Sequence, residues 1–261
     1  MDFRYAEEQP VERREVVALE RHEHACVVRL QRPAKLNAIS EQVERELCDA
    51  LQTAAVREAP CVVFTGGEKV FSAGADLSET RGYAADEVLA TYRATGDFAE
   101  RVADLAQPTI SAIAGYCIGG GLELALATDF RIAEESADFR FPEVALGILP
   151  SWGGTQRAVR LLGPAQAKEL ILLRERVDAR AALSLGLVTE VVNAGRALPR
   201  ALELAGRLSA LPRLAVAVTK QVIDALPETS RSAGLGLERV AYGLLAQTAE
   251  ATQALTRRHA S

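Results

Sequence analysis

Two glutamates carry the chemical interest of this sequence. Glu123 lies in Gly119-Gly120-Gly121-Leu122-Glu123-Leu124-Ala125 and is the single charge between positions 109 and 128. Glu143 follows Phe141-Pro142 and precedes Val144-Ala145-Leu146. A carboxylate among apolar neighbours costs free energy unless it has a partner or a task. The glycine triplet and Pro142, read as the first helical residue, each open a helix, so both glutamates fall in first turns. An acid at a helix start is also the plain surface arrangement. Burial raises a carboxyl pKa and the helix N-terminus lowers it, and the sequence does not fix the net direction. If the two meet over one water, one can take a proton while the other gives one. The triplet adds a second device. Glycines at a strand-to-helix turn let backbone N–H groups approach a ligand, and the following helix favours an oxygen that is or becomes negative. Tight strand–helix packing without a ligand would use the same residues.

Other chemistries recede. Histidine is limited to His22, His24 and His259. The first two alternate in an early strand, where solvated edge positions are the ordinary reading, and His22-Glu23-His24 lacks the helical spacing of a zinc pair. Neither a GxxxxGK[ST] nor a GxSxG stretch occurs, so the common phosphate-cradle and serine-hydrolase readings fall away; no metal site and no prosthetic group is expected. Cys26, Cys48, Cys61 and Cys117 are irregularly spaced and read as free thiols of a reducing compartment. The N-terminus is rich in charge without an apolar core, which argues against a leader and for a cytoplasmic protein. Thirty Lys and Arg against 35 Asp and Glu give a net charge of −5 over 261 residues. No broad electrostatic footprint for nucleic acid or anionic lipid follows.

The elements that must hold these residues alternate. Residues 15–22 and 25–31 read as a hairpin, ended by Arg32-Pro33. Ser40 caps a helix carrying Val43, Leu47, Ala50, Leu51 and Ala54 at helical spacing. Apolar runs at 61–65, 109–114 and 130–134 read as strands, with Phe71-Ser72-Ala73-Gly74-Ala75-Asp76-Leu77 a turn and 84–106 a helix. A helix starts at Leu122. Beyond Pro164 the chain is nearly all helix, apart from a strand-like 187–192, and a last helix spans 232–256. Such alternation with a helical tail predicts an α/β core. On length alone, 109–128 is also a membrane-span candidate, and Gly115 and Gly119 make a GxxxG match. Three consecutive glycines and a glutamate argue against that reading.

Five blocks occur in order: Arg32-Pro33-Ala34-Lys35-Leu36-Asn37-Ala38, then 71–77, then 114–125, then Phe141-Pro142-Glu143-Val144-Ala145-Leu146-Gly147, then Gly153-Gly154-Thr155-Gln156-Arg157. Together they resemble the crotonase superfamily, in its enoyl-CoA hydratase branch, over about residues 14–250. The resemblance implies a crotonase-like spiral of ββα units at 1–195 and a helical trimerisation region at 196–261. It implies a homo-oligomer, a trimer or a hexamer built of two trimers. It implies a CoA thioester as substrate and syn addition of water across an α,β double bond, in fatty acid β-oxidation or related lipid metabolism. Glu123 and Glu143 map to the catalytic pair, and Ala75 and Gly120 to the N–H groups around the thioester oxygen. Isomerase-like relatives commonly keep only one of the two glutamates. Ala34, Lys35, Leu36, Ala73, Asp76, Leu77 and Gly119 map to the CoA-binding surroundings. The segment 78–101, with Asp86 and Tyr92, and the loop around Trp152 map to the acyl pocket. Alternative readings are another reaction on a CoA thioester (dehydration, isomerisation, hydrolysis) or a non-catalytic, RNA-binding relative. Two departures stand out. Residues 172–176 read Leu-Leu-Arg-Glu-Arg without the glycine that ends the preceding helix in relatives. The C-terminus offers Arg257 and Arg258 in place of the family's pattern.

Overall fold

The computed structural model describes residues 12–13, 15–79 and 98–253. Two sheets organise them. The larger has the order β1-β2-β3-β4-β6-β8-β11 and the smaller the order β10-β9-β7-β5. The strands are β1 (Glu12–Arg13), β2 (Val17–Arg21), β3 (Cys26–Leu30), β4 (Val62–Thr65), β5 (Val70–Ser72), β6 (Thr109–Ile113), β7 (Tyr116–Ile118), β8 (Phe130–Glu134), β9 (Asp138–Arg140), β10 (Val177–Asp178) and β11 (Glu190–Val192). β2 and β3 form the expected antiparallel hairpin, and β3, β4, β6, β8 and β11 then run parallel. Each of β4, β6 and β8 is followed closely by a strand of the smaller sheet, β5, β7 or β9. Successive units thus advance one place in both sheets, which is the predicted α/β spiral of strand–strand–helix units.

Parallel strands covered on both faces should be apolar throughout, and β4 and β6 are wholly buried. Alternation sorts their side chains. Cys26, Val28, Val62, Phe64 and Ile113 join the core between the sheets. Val27, Val63, Ile110, Ala112 and Ile132 face the other way, onto α7 (Ala197–Ser209). That helix presents Ala197, Ala201 and Ala205 at four-residue spacing, so small side chains let it lie close to the sheet.

The remaining helices are α1 (Glu41–Gln52), α2 (Ala54–Arg57), α3 (Phe98–Ala103), α4 (Gly120–Leu126), α5 (Gly154–Leu172), α6 (Ala179–Leu185), α8 (Arg213–Ala225) and α9 (Arg231–Leu245). Ser40 caps α1 as expected, its hydroxyl accepting the Val43 N–H at 3.3 Å. α8 is tied to the core by Lys220, whose Nζ lies 3.0 Å from Asp129 Oδ2.

Several expectations need correction. His22 and His24 do not alternate in a strand; they occupy the hairpin turn between Arg21 and Cys26. α4 begins at Gly120 rather than Leu122. Pro142 lies just outside its helical turn, a 3₁₀ turn over Glu143–Leu146. The last helix stops at Leu245 and a separate helical turn begins at 249. The candidate span at 109–128 is β6, β7 and α4, and no helix among the described residues is long and apolar enough to cross a membrane. The predicted helix at 84–106 lies largely outside the described residues, as do Asp86, Tyr92, Arg257 and Arg258. Where the expected glycine is missing, α5 ends without a left-handed residue. The N–H groups of Leu173 and Arg174 both donate to the Glu169 carbonyl, and the Arg174 guanidinium donates to the Glu169 carboxylate at 2.7 Å.

Candidate active site

α4 follows β7 without a loop, so Gly120 is the first helical residue. The Glu123 N–H makes the first intrahelical bond, to the Gly119 carbonyl, at 2.9 Å. The N–H groups of residues 120–122 therefore precede the helical ladder. Leu122, Leu124 and Ala125 are fully buried, and Glu123 goes in with them at 2% exposure. Its carboxylate is not orphaned. Oε1 accepts the N–H of Trp152 at 2.7 Å and of Gly154 at 2.9 Å. These donors come from the turn leading into α5. Burial nevertheless dominates and pushes the Glu123 carboxyl up to about 7, the two N–H donors and the Arg157 charge opposing and the Glu143 charge adding.

Glu143 approaches from the 3₁₀ turn after β9. Its side chain lies against Gly119, where a Cβ would collide with its Oε1, and its Oε2 is buried without a hydrogen-bond partner. Burial raises its carboxyl pKa as well. The structure thus brings together the two glutamates singled out in the sequence, close enough for the charge of one to raise the pKa of the other. Two carboxyls so placed hold one proton more readily than none or two.

Trp152 closes one side. Its ring lies over Gly120 and meets Phe98 edge-on, with centroids 5.1 Å apart at 72°. The other side is built from two loops. Pro33–Lys35 is a 3₁₀ turn, and Leu36 and Asn37 follow with φ of 51° and 53°. Ala34, Lys35 and Leu36 are exposed, as is Leu77. The Ala73 N–H donates to the Leu36 carbonyl at 3.0 Å, and Ile39 pairs with Ala75 as a one-residue parallel bridge. In that bridge Ile39 bonds the Gly74 carbonyl and the Asp76 N–H, so chain alternation turns the Ala75 N–H away from it. A Cβ at Gly74 would lie 3.3 Å from the Gly120 nitrogen, which brings the 74–75 backbone beside the start of α4.

Residues that sequence reasoning did not single out hold this arrangement. Asn37 is 1% exposed; its Nδ2 donates to the Gly66 and Val70 carbonyls at 2.8 and 3.0 Å, and its Oδ1 accepts the Arg32 N–H at 2.9 Å. Arg32 joins the loops, donating to the Ala38 carbonyl and to Asp76, both at 2.9 Å. Asp76 also accepts from Ser78, and these donors hold its carboxyl below the usual range. Ser72 and Gly154 complete the frame. The signal for Gly154 was present, since Gly153-Gly154 before a helix repeats the grammar of the earlier glycine triplet.

Two sheets wound from strand–strand–helix units, with paired glutamates at the starts of two helical turns, define a crotonase-fold protein. The enoyl-CoA hydratase/isomerase family matches residues 20–258, and the chain belongs to that family. The crotonyl-CoA hydratase of Syntrophomonas wolfei is 36% identical over 93% of this chain and 94% of its own length. The 2,3-dehydroadipyl-CoA hydratase of Escherichia coli K12 is 36% identical over 87% of this chain and 89% of its own. The crystal structure of an enoyl-CoA hydratase from Bacillus anthracis superposes with a TM-score of 0.85, at 36% identity, covering 94% of this chain and 97% of that one.

Proposed function

We propose that this protein is an enoyl-CoA hydratase that adds water, reversibly and syn, across the α,β double bond of a 2-enoyl-CoA. The observation that carries the reading is the pair of glutamates, Glu123 buried and Glu143 half-buried. One is fixed by two N–H donors, and the other has a buried oxygen without a partner. A water between them would satisfy that oxygen and sit beside a base.

In the forward direction ionised Glu123 takes a proton from water as its oxygen bonds to Cβ. The π electrons move into the thioester as an enolate. Protonated Glu143 then delivers its proton to Cα, and the pair keeps one proton throughout. Two N–H donors oppose the burial of Glu123, and above about pH 7 its carboxyl is ionised, which supports Glu123 as base and Glu143 as acid. The enolate oxygen belongs between the N–H groups of Ala75 and Gly120, where preorganised donors of this kind are worth about 3 kcal/mol each. Gly119 lets Glu143 approach, and Trp152 borders the acyl side. Ala34, Lys35, Leu36, Ala73, Asp76 and Leu77 line the approach for CoA. The reaction as written uses a water and two carboxyls, with no metal or prosthetic group. Val240, Tyr242 and Leu244 of α9 are each more than 60% exposed, which supports assembly into a trimer or hexamer.

The test is hydration of crotonyl-CoA, followed by loss of enoyl thioester absorbance. Wild type should turn over, and Glu123→Gln and Glu143→Gln should each lose at least about 100-fold in kcat. A folded amide variant with near-full rate would end the two-carboxyl mechanism. A wild type that binds CoA thioesters but hydrates none would favour isomerisation or hydrolysis.

A further inference from the structure

An ion pair outside the two-glutamate reaction braces the turn that holds Glu123. Arg157 of α5 donates from Nη1 to the Trp152 carbonyl at 2.7 Å and from Nη2 to Glu100 Oε1 of α3 at 2.6 Å. Its guanidinium lies against Gly153, where a Cβ would collide with it. The Arg157 side chain is 11% exposed and that of Glu100 59%. The cation therefore spans the 152–154 turn from one side, while the Trp152 and Gly154 N–H groups grip Glu123 from the other. The Trp152 backbone is fixed by both its N–H, on Glu123, and its carbonyl, on Arg157. Glycines at 153 and 154 supply no side chain that could do this. A rigid fork with two donors reaches both partners at once, whereas a single ammonium does not.

We propose that Arg157, anchored by Glu100, is a positioning residue for Glu123, holding the 152–154 turn and so the placement and local charge of the carboxylate; this rests on the hydratase reading above. Among the described residues, the charged groups acting on Glu123 are Glu143 from the 3₁₀ turn and Arg157 from α5. Glu100 reaches it through Arg157, and β5 and β7, which also pack on α4, contain no charged residue. The Arg157 charge lowers the Glu123 pKa against burial. Removing Arg157 must raise that pKa further. Removing Glu100 leaves the arginine charge uncompensated and must lower it. A merely structural pair would not give opposite signs.

Arg157→Met, Arg157→Lys and Glu100→Gln in the full chain test this through the pH dependence of crotonyl-CoA hydration. Arg157→Met should lose kcat on the order of 100-fold, as for a slightly misplaced catalytic group, with KM within about twofold. Its acid limb should move to higher pH. Arg157→Lys should recover part of the rate. Glu100→Gln, at an exposed position, should fold normally, lose less rate and move the limb to lower pH. Isotope-edited infrared titration of the Glu123 carboxyl, assigned by its loss in Glu123→Gln, reads the same order of midpoints without turnover. Midpoints that shift as stated in a wild type without hydratase activity would support the positioning role and refute the hydratase reading. Midpoints that stay put, or move the same way in Arg157→Met and Glu100→Gln, would overturn the positioning role whatever the rates.

Discussion

Replacing Gly154 by alanine tests the geometry of Glu123 with one carbon atom. Gly154 is buried at the first position of α5, and its backbone suits an alanine, so the effect comes from contact. A Cβ there would lie 2.7 Å from Glu123 Cγ, 2.8 Å from Oε1 and 3.0 Å from Pro150 Cβ. Ordinary contact begins at 3.4 Å, so Glu123 must retreat by about 0.7 Å. Pro150, 3.0 Å from the new methyl group, crowds it as well. The same retreat stretches the 2.7 and 2.9 Å bonds from Trp152 and Gly154. A misplacement near 1 Å costs on the order of 100-fold in rate. The expected loss in kcat is therefore roughly 10- to 100-fold, or about 1.4–2.7 kcal/mol. KM for crotonyl-CoA should hold within about twofold, because the loops at 33–38 and 73–77 are untouched. The assay is initial-rate hydration across substrate concentration, with thermal melting to confirm folding. A folded Gly154→Ala protein with kcat within about twofold of wild type would refute the placement of the chemistry at Glu123.

Three further outcomes follow from the same contacts. Glu123 titrates near 7 when folded against 4.5 in the unfolded chain, so the folded state binds the extra proton between those values and stability falls as pH rises through that window. Glu123→Gln keeps an acceptor for both N–H groups and removes the penalty, so urea unfolding should show a gain approaching about 3 kcal/mol at pH 8 and a smaller one at pH 5; equal gains would contradict the raised pKa. Asn37→Ala leaves the half-buried Gly66 carbonyl and the buried Val70 carbonyl without their donor and should cost about 2 kcal/mol in urea unfolding. Arg32→Met unties Asp76 from the 33–38 loop, and Michaelis analysis should find KM raised several-fold with kcat little changed, a loss of binding shared by ground and transition states.

The legible part of this molecule was its backbone grammar. Apolar runs at 61–65, 109–114 and 130–134 became parallel strands because strands buried on both faces leave no polar alternation to read. Glycines before Glu123 and proline before Glu143 marked helix starts, and both starts converge. What the sequence hid was long-range. The donors to Glu123 come from residues 152 and 154, 29 and 31 positions away, and no local pattern announces such a partner. Glycine is a poor helix former, so the pattern alone puts the helical start at Leu122; here the Trp152 ring leaves no room for a Cβ at Gly120, and Ser72 leaves none at Gly121. His22 and His24 were misplaced because the hairpin turn is short and carries no glycine or proline to punctuate it.

Trp152 is the chain's single tryptophan; its ring meets Gly120 and Phe98, and its backbone N–H donates to Glu123. Indole emission excited beyond the tyrosine band therefore arises at one address in the fold. A thioester settling over Gly120, or a proton arriving on Glu123, alters the polarity felt by that ring and by no other indole. The protein carries a built-in optical probe of its candidate active site, with no label to attach and no background to subtract.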